Sequence, residues 1–301
     1  MKNKSKFFGV YPMVYALFDK KGNLDRGAMH RQIRSMLKHG VHGVGVLGLA
    51  SEVNKLSIAE RHTLMEWVAE DIGGAIPLAV TVAEPSIAGQ IAFVKAAADV
   101  GAKWAILQPP PVKGVPESAL IHFFGAVADA SPITLGIQNA PEYLGIGLSN
   151  DGIRALHRNH SNVSIIKLEA TAIAVARLRE EVGDSIHIFN GRGGIEMVDS
   201  IRAGAIGIIP GGETFDILTR IYDRMMEGTK ESQVNAERLY AAVLPLLVFL
   251  MESMDTFLLY GKRVLGTRLN IEETDPRPPH SAATRFGTGT AKRYAEALGK
   301  L

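Results

Sequence analysis

The sequence predicts an α/β chain folded as a (β/α)8 TIM barrel with additional C-terminal helices. Short apolar runs recur roughly every 25 to 35 residues, each followed by a stretch of amphipathic helical period, which is the pattern of repeated βα units around a parallel sheet. Eight such runs fit within about 210 residues, the count and spacing of a closed barrel. An open doubly wound sheet usually has fewer strands and carries a glycine fingerprint after its first; none follows residue 16.

The expected strands cover 9–16, 43–47, 78–82, 104–107, 133–137, 163–168, 186–189 and 206–209. Asp25 is placed to cap a helix over 26–39, and Ser57 with Glu60 makes a capping box. Ser86 and Ser149 open helices over 88–100 and 152–157, while Gly40, Gly101 and Gly204 stand where helices stop before the next strand. Beyond the eighth strand the chain reads as helices over 215–227, 231–251, 254–265 and 281–298, with the proline-rich 275–280 as a rigid connector before the last. We expect a barrel over 1–225 and a helical extension over 226–301 packed on it, not an independent domain.

Composition narrows the class of function. With 47% hydrophobic and 21% charged residues the chain has the balance of a soluble globular protein, and a net charge of +2 gives no basic stripe for nucleic acid. Having no cysteine, it has no thiolate metal ligand and no disulfide, and a cytoplasmic location is the expectation. The basic start Met1–Lys6 runs straight into Phe7 and Phe8 without the apolar core of a signal peptide. The apolar run 241–251 is too short to span a bilayer and contains Pro245, so no membrane association is expected; it reads as a buried helix or one packed against another subunit of a homo-oligomer. His157 and His160 lie near a helix end without a carboxylate partner in view, and no metal is expected. Trp67 and Trp104 read as packing residues.

Barrel chemistry sits where the strands end. Lys167 closes the sixth run, where a lysine is costly unless it is used, reaches solvent or pairs with a carboxylate. An amine in a closed apolar pocket can lose its proton and attack a ketone, giving a Schiff base. An ordinary lysine is neutral in only about one molecule in a few thousand at pH 7, so burial of such an amine must weaken proton binding by about 4 kcal/mol. Strand side chains alternate, so Glu169 shares the face of Lys167 at about 6.6 Å spacing while Leu168 packs outward. A carboxyl group there is a proton carrier, or half of a plain ion pair. Arg192, among glycines after the seventh strand, suits a carboxylate or a phosphate, with Gly211 and Gly212 after the eighth strand fitting either. Glu52 reads as an anchor of its loop rather than a reacting group.

Taken together, Gly48-Leu49-Ala50-Ser51-Glu52 after strand two, Asn139-Ala140-Pro141 after strand five, Lys167 on strand six and the Gly-rich turn after strand seven resemble the dihydrodipicolinate synthase and N-acetylneuraminate lyase family of class I aldolases. In that family the strand-two turn is Gly-Thr-Thr-Gly-Glu and a tyrosine precedes Asn-x-Pro. Here Leu49 and Ala50 replace the threonines, a hydroxyl reappears at Ser51, and Gln138 replaces the tyrosine. Ser51-Glu52, Gln138, Lys167-x-Glu169 and Gly211-Gly212 are similar to the 2-keto-3-deoxy-pentonate dehydratase branch, where a glutamate two residues after the lysine stands in for the tyrosine.

The resemblance implies a cofactor-free lyase acting on a small 2-keto-3-deoxy sugar acid, in a dimer or tetramer. Lys167, Glu169 and Gln138 would be catalytic. Gly48, Ala50, Ser51, Asn139, Gly191, Arg192, Gly211 and Gly212 would hold the substrate. Dehydration is the expected outcome, with Glu169 as the acid that protonates the departing C4 hydroxyl. The alternatives are a retro-aldolase releasing pyruvate, a non-catalytic sugar-acid-binding barrel, and a phosphosugar site using Arg192, Gly211 and Gly212 with Lys167 as a phosphate cation.

Overall fold

Strands that are apolar on both faces need cover on both, and the parallel arrangement with helices outside supplies it. The computed structural model describes residues 6–112 and 114–301; residues 1–5 of the basic N-terminal stretch lie outside the described residues. Strands β1 (Gly9–Val10), β2 (Val44–Val46), β3 (Leu78–Val82), β4 (Trp104–Leu107), β5 (Thr134–Asn139), β6 (Val163–Leu168), β7 (His187–Asn190) and β8 (Gly207–Ile208) form one parallel sheet. Its order is β1-β8-β7-β6-β5-β4-β3-β2. Met13 bridges Gly45 to bring β1 against β2, so the sheet is a nearly closed barrel.

The first and last strands are shorter than expected, and prolines explain both. Along 9–14, alternate residues face β8 and β2: the amides of Gly9, Tyr11 and Met13 donate to Ile206, Ile208 and Pro210, while Val14 donates to Gly45 (2.8 Å). Pro12 falls on the β2 side and has no N–H to give, and Pro210 likewise ends the β8 ladder.

Around the sheet run α1 (Arg26–Lys38), α2 (Ile58–Ile72), α3 (Ile87–Asp99), α4 (Glu117–Asp129), α5 (Pro141–Leu144), α6 (Asn150–Asn159), α7 (Ala172–Val182), α8 (Met197–Arg202) and α9 (Phe215–Glu227). Asp25, Ser57, Ser86 and Ser149 each accept an amide at the helix start, and Ser57 with Glu60 completes a capping box. Inside the barrel, Trp104 packs on Tyr11 and Phe189 with ring centroids 5.7 and 5.3 Å away. These rings fit because the facing positions 43 and 207 are glycines; a Cβ on Gly207 would lie 2.5 Å from Phe189.

Helices α10 (Lys230–Leu250), α11 (Met254–Leu269) and α12 (Arg285–Leu298) complete the chain. Leu246, Leu250, Phe257, Val264, Leu265 and Ala291 join the same core as the strands, so these helices pack on the barrel. The 241–251 run belongs to a helix of 21 residues, which by length and composition alone is long enough to cross a membrane. Val243, Leu246, Leu247 and Leu250 are nevertheless buried inside the protein, while Ala241, Ala242, Pro245 and Val248 form an exposed apolar face.

The proline-rich connector is fastened to the barrel by Arg277, whose guanidinium grips Glu60 through two bonds (2.7 and 2.9 Å) and reaches the carbonyl of Lys55 (2.9 Å). That guanidinium, more than the backbone and hydroxyl of Ser57, holds the Glu60 carboxyl down at about 2. A carboxyl that ionises more readily in the folded state adds stability that is complete above its ordinary value of 4.5 and is lost as pH falls through about 2. Glu60→Gln should therefore lower the urea midpoint at pH 6, with the gap to the parent closing as pH approaches 2. A gap that persists at pH 2 would refute this linkage.

Candidate active site

The turn after β2 is built before any ligand arrives. Ser51 Oγ donates to the Val14 carbonyl (2.5 Å) and accepts from the Leu47 amide (3.0 Å), which ties the turn to the segment following β1. Its hydroxyl is fully buried and faces backbone rather than the cavity. Gly48 lies against Met13, where a Cβ would sit 2.8 Å from Sδ, and its amide points at that sulfur (3.3 Å).

Glu52 anchors the turn from below, in the left-handed conformation (φ 53). Its carboxylate accepts from Lys262 Nζ (2.5 Å), Lys55 Nζ (3.1 Å) and the Arg277 amide (2.9 Å). Desolvation dominates at Lys262, pushing that ammonium down to about 8 despite Glu52. So braced, the turn presents Leu49 and Ala50 to the cavity, and their amides have no acceptor in the chain among the described residues.

Gln108, Gln138 and Lys167 stand side by side, since Gln138 is in register with Lys167 on the neighbouring strand. Gln108 Nε2 donates to Gln138 Oε1 (3.0 Å), which orients the carboxamide and leaves its buried Nε2 without an acceptor among the described residues. Asn139 does something other than meet the cavity. Its side chain clamps Leu148 from both sides, donating to the carbonyl (2.9 Å) and accepting from the amide (2.8 Å). That clamp fixes the segment carrying α5, and α5 delivers Tyr143 to the cavity.

Lys167 and Glu169 meet as strand alternation requires, with Nζ 2.7 Å from Oε1 and only 5% and 7% of each residue exposed. Glu169 Oε2 accepts the Arg192 amide (2.6 Å). Gly191 is where it is because of this carboxylate: a Cβ there would overlap Oε1, Oε2 and Cδ of Glu169. Arg192 adopts φ 52, turning its amide toward Glu169 while its guanidinium pairs with Glu196 (2.7 Å). Gly211 reaches the cavity, whereas Gly212 packs against Gln32 and Tyr15 behind it.

The result is a two-sided cavity. Lys167, Glu169, Arg192 and Tyr143 make its polar side, and Met13, Leu49, Ile209, Met251, Met254 and Phe257 much of its apolar wall. Burial and the charge of Glu169 raise the Tyr143 phenol above its ordinary value of 10.0, with the nearby Arg192 guanidinium opposing. Sequence reading alone missed Tyr143, Met13, Met251 just past α10, and Met254 and Phe257 from α11. Tyr143 follows Pro141 by two residues at a strand end and was within reach of that reading; nothing local marks the methionines. Among the described residues, no three His, Asp or Glu side chains are grouped to hold a metal. His157 and His160 instead hydrogen-bond the Val163 carbonyl and Asp129.

The sequence model of the Dihydrodipicolinate synthetase family matches residues 6–285. An L-2-keto-3-deoxyarabonate dehydratase of Azospirillum brasilense is 29% identical over 90% of this chain and 88% of its own. An N-acetylneuraminate lyase of Mediterraneibacter gnavus is 26% identical over 75% and 71%. The 4-hydroxy-tetrahydrodipicolinate synthase of Methylacidiphilum fumariolicum SolV superposes with a TM-score of 0.87, at 21% identity, over 97% of this chain and 98% of its own.

If Gly191 exists to make room for Glu169, Gly191→Ala should leave the fold intact and displace the carboxylate. A crystal structure of the variant is expected to place Lys167 Nζ and Glu169 beyond about 4 Å, outside ion-pair range. Finding the pair in its present contact beside an alanine would remove this role from Gly191.

Proposed function

The chain belongs to the dihydrodipicolinate synthetase family, whose members are lyases, and we propose that it is a dehydratase forming a Schiff base between Lys167 and a 2-keto-3-deoxy sugar acid. The observation that carries this reading is the buried contact of Lys167 with Glu169, in a barrel whose fifth strand offers Gln138 where the family's tyrosine would be. A carboxylate 2.7 Å from the ammonium can take its proton directly, and so free the amine to add to C2. The carbinolamine then loses its hydroxyl as water with that proton, leaving a C2 iminium. Gln138, expected to be catalytic, stands in register beside Lys167 but is buried and does not line the cavity, so it serves to pack and polarise the lysine's side of the site, and as an amide it cannot shuttle a proton.

The iminium draws electrons from C3, and Glu169, again a carboxylate, removes a C3 proton to give the enamine. Expulsion of the C4 hydroxyl as water then yields a conjugated iminium, which tautomerises and hydrolyses to free Lys167. The idle amides of Leu49 and Ala50 suit the substrate carboxylate, so Ala50 would bind through its backbone, and Ser51 and Gly48 would act by holding the turn. Asn139, Gly191 and Gly212 serve as scaffold on this reading, with Arg192 and Gly211 at the cavity surface.

A retro-aldol cleavage would need a base for the C4 hydroxyl, the part the missing tyrosine plays in the family. A phosphosugar site fits less well. Lys167 and Arg192 are matched by Glu169 and Glu196, so the cavity holds no surplus of positive charge for a dianion.

Borohydride trapping across a panel of 2-keto-3-deoxy acids tests the proposal. Reduction should add the mass of one substrate-derived residue at Lys167, Lys167→Met should abolish it, and turnover should give a dehydrated keto acid without pyruvate. Pyruvate as the product would establish the retro-aldolase instead. Absence of any ketone-dependent adduct would sink the Schiff-base chemistry altogether.

A further inference from the structure

Elimination from the enamine needs a proton on the departing C4 oxygen, so that it leaves as water rather than as hydroxide. Glu169 carries the proton it took from C3, but that proton returns to C3 later in the cycle, and a second acid serves the C4 oxygen. Lys167 is by then the enamine nitrogen. Gln138 has no proton to spare, and the Arg192 guanidinium does not give one up. The rest of the cavity wall is apolar side chain and glycine, with one exception.

Resting on the dehydratase reading above, we propose that Tyr143 is the general acid that protonates the C4 hydroxyl as it departs. Its place in the fold is built, not incidental. Pro141 starts α5, Tyr143 and Leu144 both donate to Ala140 O (3.0 and 2.9 Å), and Gly145 closes the turn at φ 71 with its amide on Pro141 O (2.8 Å). The Asn139 clamp on Leu148 locks the far end of the same segment. The phenol therefore reaches the cavity from a fixed turn on the side occupied by Glu169 and Arg192. Arg192 lines the same side of the cavity, and a guanidinium can only donate, so it does not compete with the substrate for the phenolic O–H.

Surroundings suit the role in both directions. Burial and the negative charge of Glu169 keep the phenol protonated through neutral pH, and the Arg192 guanidinium steadies the phenolate once the proton has gone. The cycle closes in protons. The C4–O bond breaks with the enamine pair forming C3=C4, and the phenol proton leaves in the water. The phenolate recovers a proton from C5 as the conjugated iminium becomes a dienamine. Glu169 returns its proton to C3, and the remaining C4 enol becomes a carbonyl at C5 by solvent exchange.

Tyr143→Phe is the direct test, read against substrates that differ only in their leaving group. Borohydride trapping at Lys167 and exchange of the C3 hydrogens into deuterated water should persist in the variant within a few-fold. Dehydration of the C4-hydroxy acid should drop by about 100-fold or more, the range of a lost general acid. Elimination from the 4-fluoro analogue, whose leaving group needs no proton, should run near the parental rate. A variant that dehydrates the hydroxy acid normally, or loses fluoride elimination and C3 exchange along with it, would overturn the assignment, the second result marking a merely structural tyrosine. If the parent enzyme itself gives no adduct at Lys167, it is the underlying dehydratase reading that fails.

Discussion

The site is organised around a lysine and a glutamate brought into contact in a place that solvates neither. Removing two charges from water costs several kcal/mol per ion, and their attraction recovers this only with good geometry and further hydrogen bonds. Glu169 has both: the ammonium on one oxygen and the Arg192 amide on the other. Other choices follow from it. Position 191 must lack a side chain, residue 192 must turn its amide inward at positive φ, and the guanidinium must find its own carboxylate at Glu196. Such an arrangement does little for stability that an apolar pair would not do better.

A second buried charge cluster serves the first at a distance. Glu52 gathers Lys262 from α11, Lys55 from its own turn and the Arg277 amide from the connector. Three separate parts of the chain therefore converge beneath Leu49 and Ala50. The amides of that turn are held in position by charges that never meet the cavity, which is how a turn without the family's threonines keeps its shape.

The barrel was legible because its signals are local and repeated: eight apolar runs, capping serines at 57, 86 and 149, and glycines where helices stop. The pairing of Lys167 with Glu169 was legible too, being a consequence of strand alternation alone. What sequence could not convey was direction. Ser51, Asn139, Gly191 and Gly212 stand at strand ends as substrate ligands would, yet the first two spend their hydrogen bonds on backbone and the glycines make room for Glu169, Gln32 and Tyr15. Strand lengths failed at Pro12 and Pro210, where a missing N–H outweighs an apolar run. The methionine wall comes from residues remote in sequence, and no local pattern joins Met13 to Met251.

That wall separates two properties that evolution could have tangled. Lys167 and Glu169 sit on β6 and just past its end, while Met251 at the end of α10 and Met254 and Phe257 on α11 belong to the part of the chain added after the barrel is finished. Thioether side chains are pliable and repack readily around differently shaped neighbours. Under the proposed function, substitutions in the appended helices would thus reshape which acids fit, long or short, branched or plain, while Lys167 and Glu169 stay untouched.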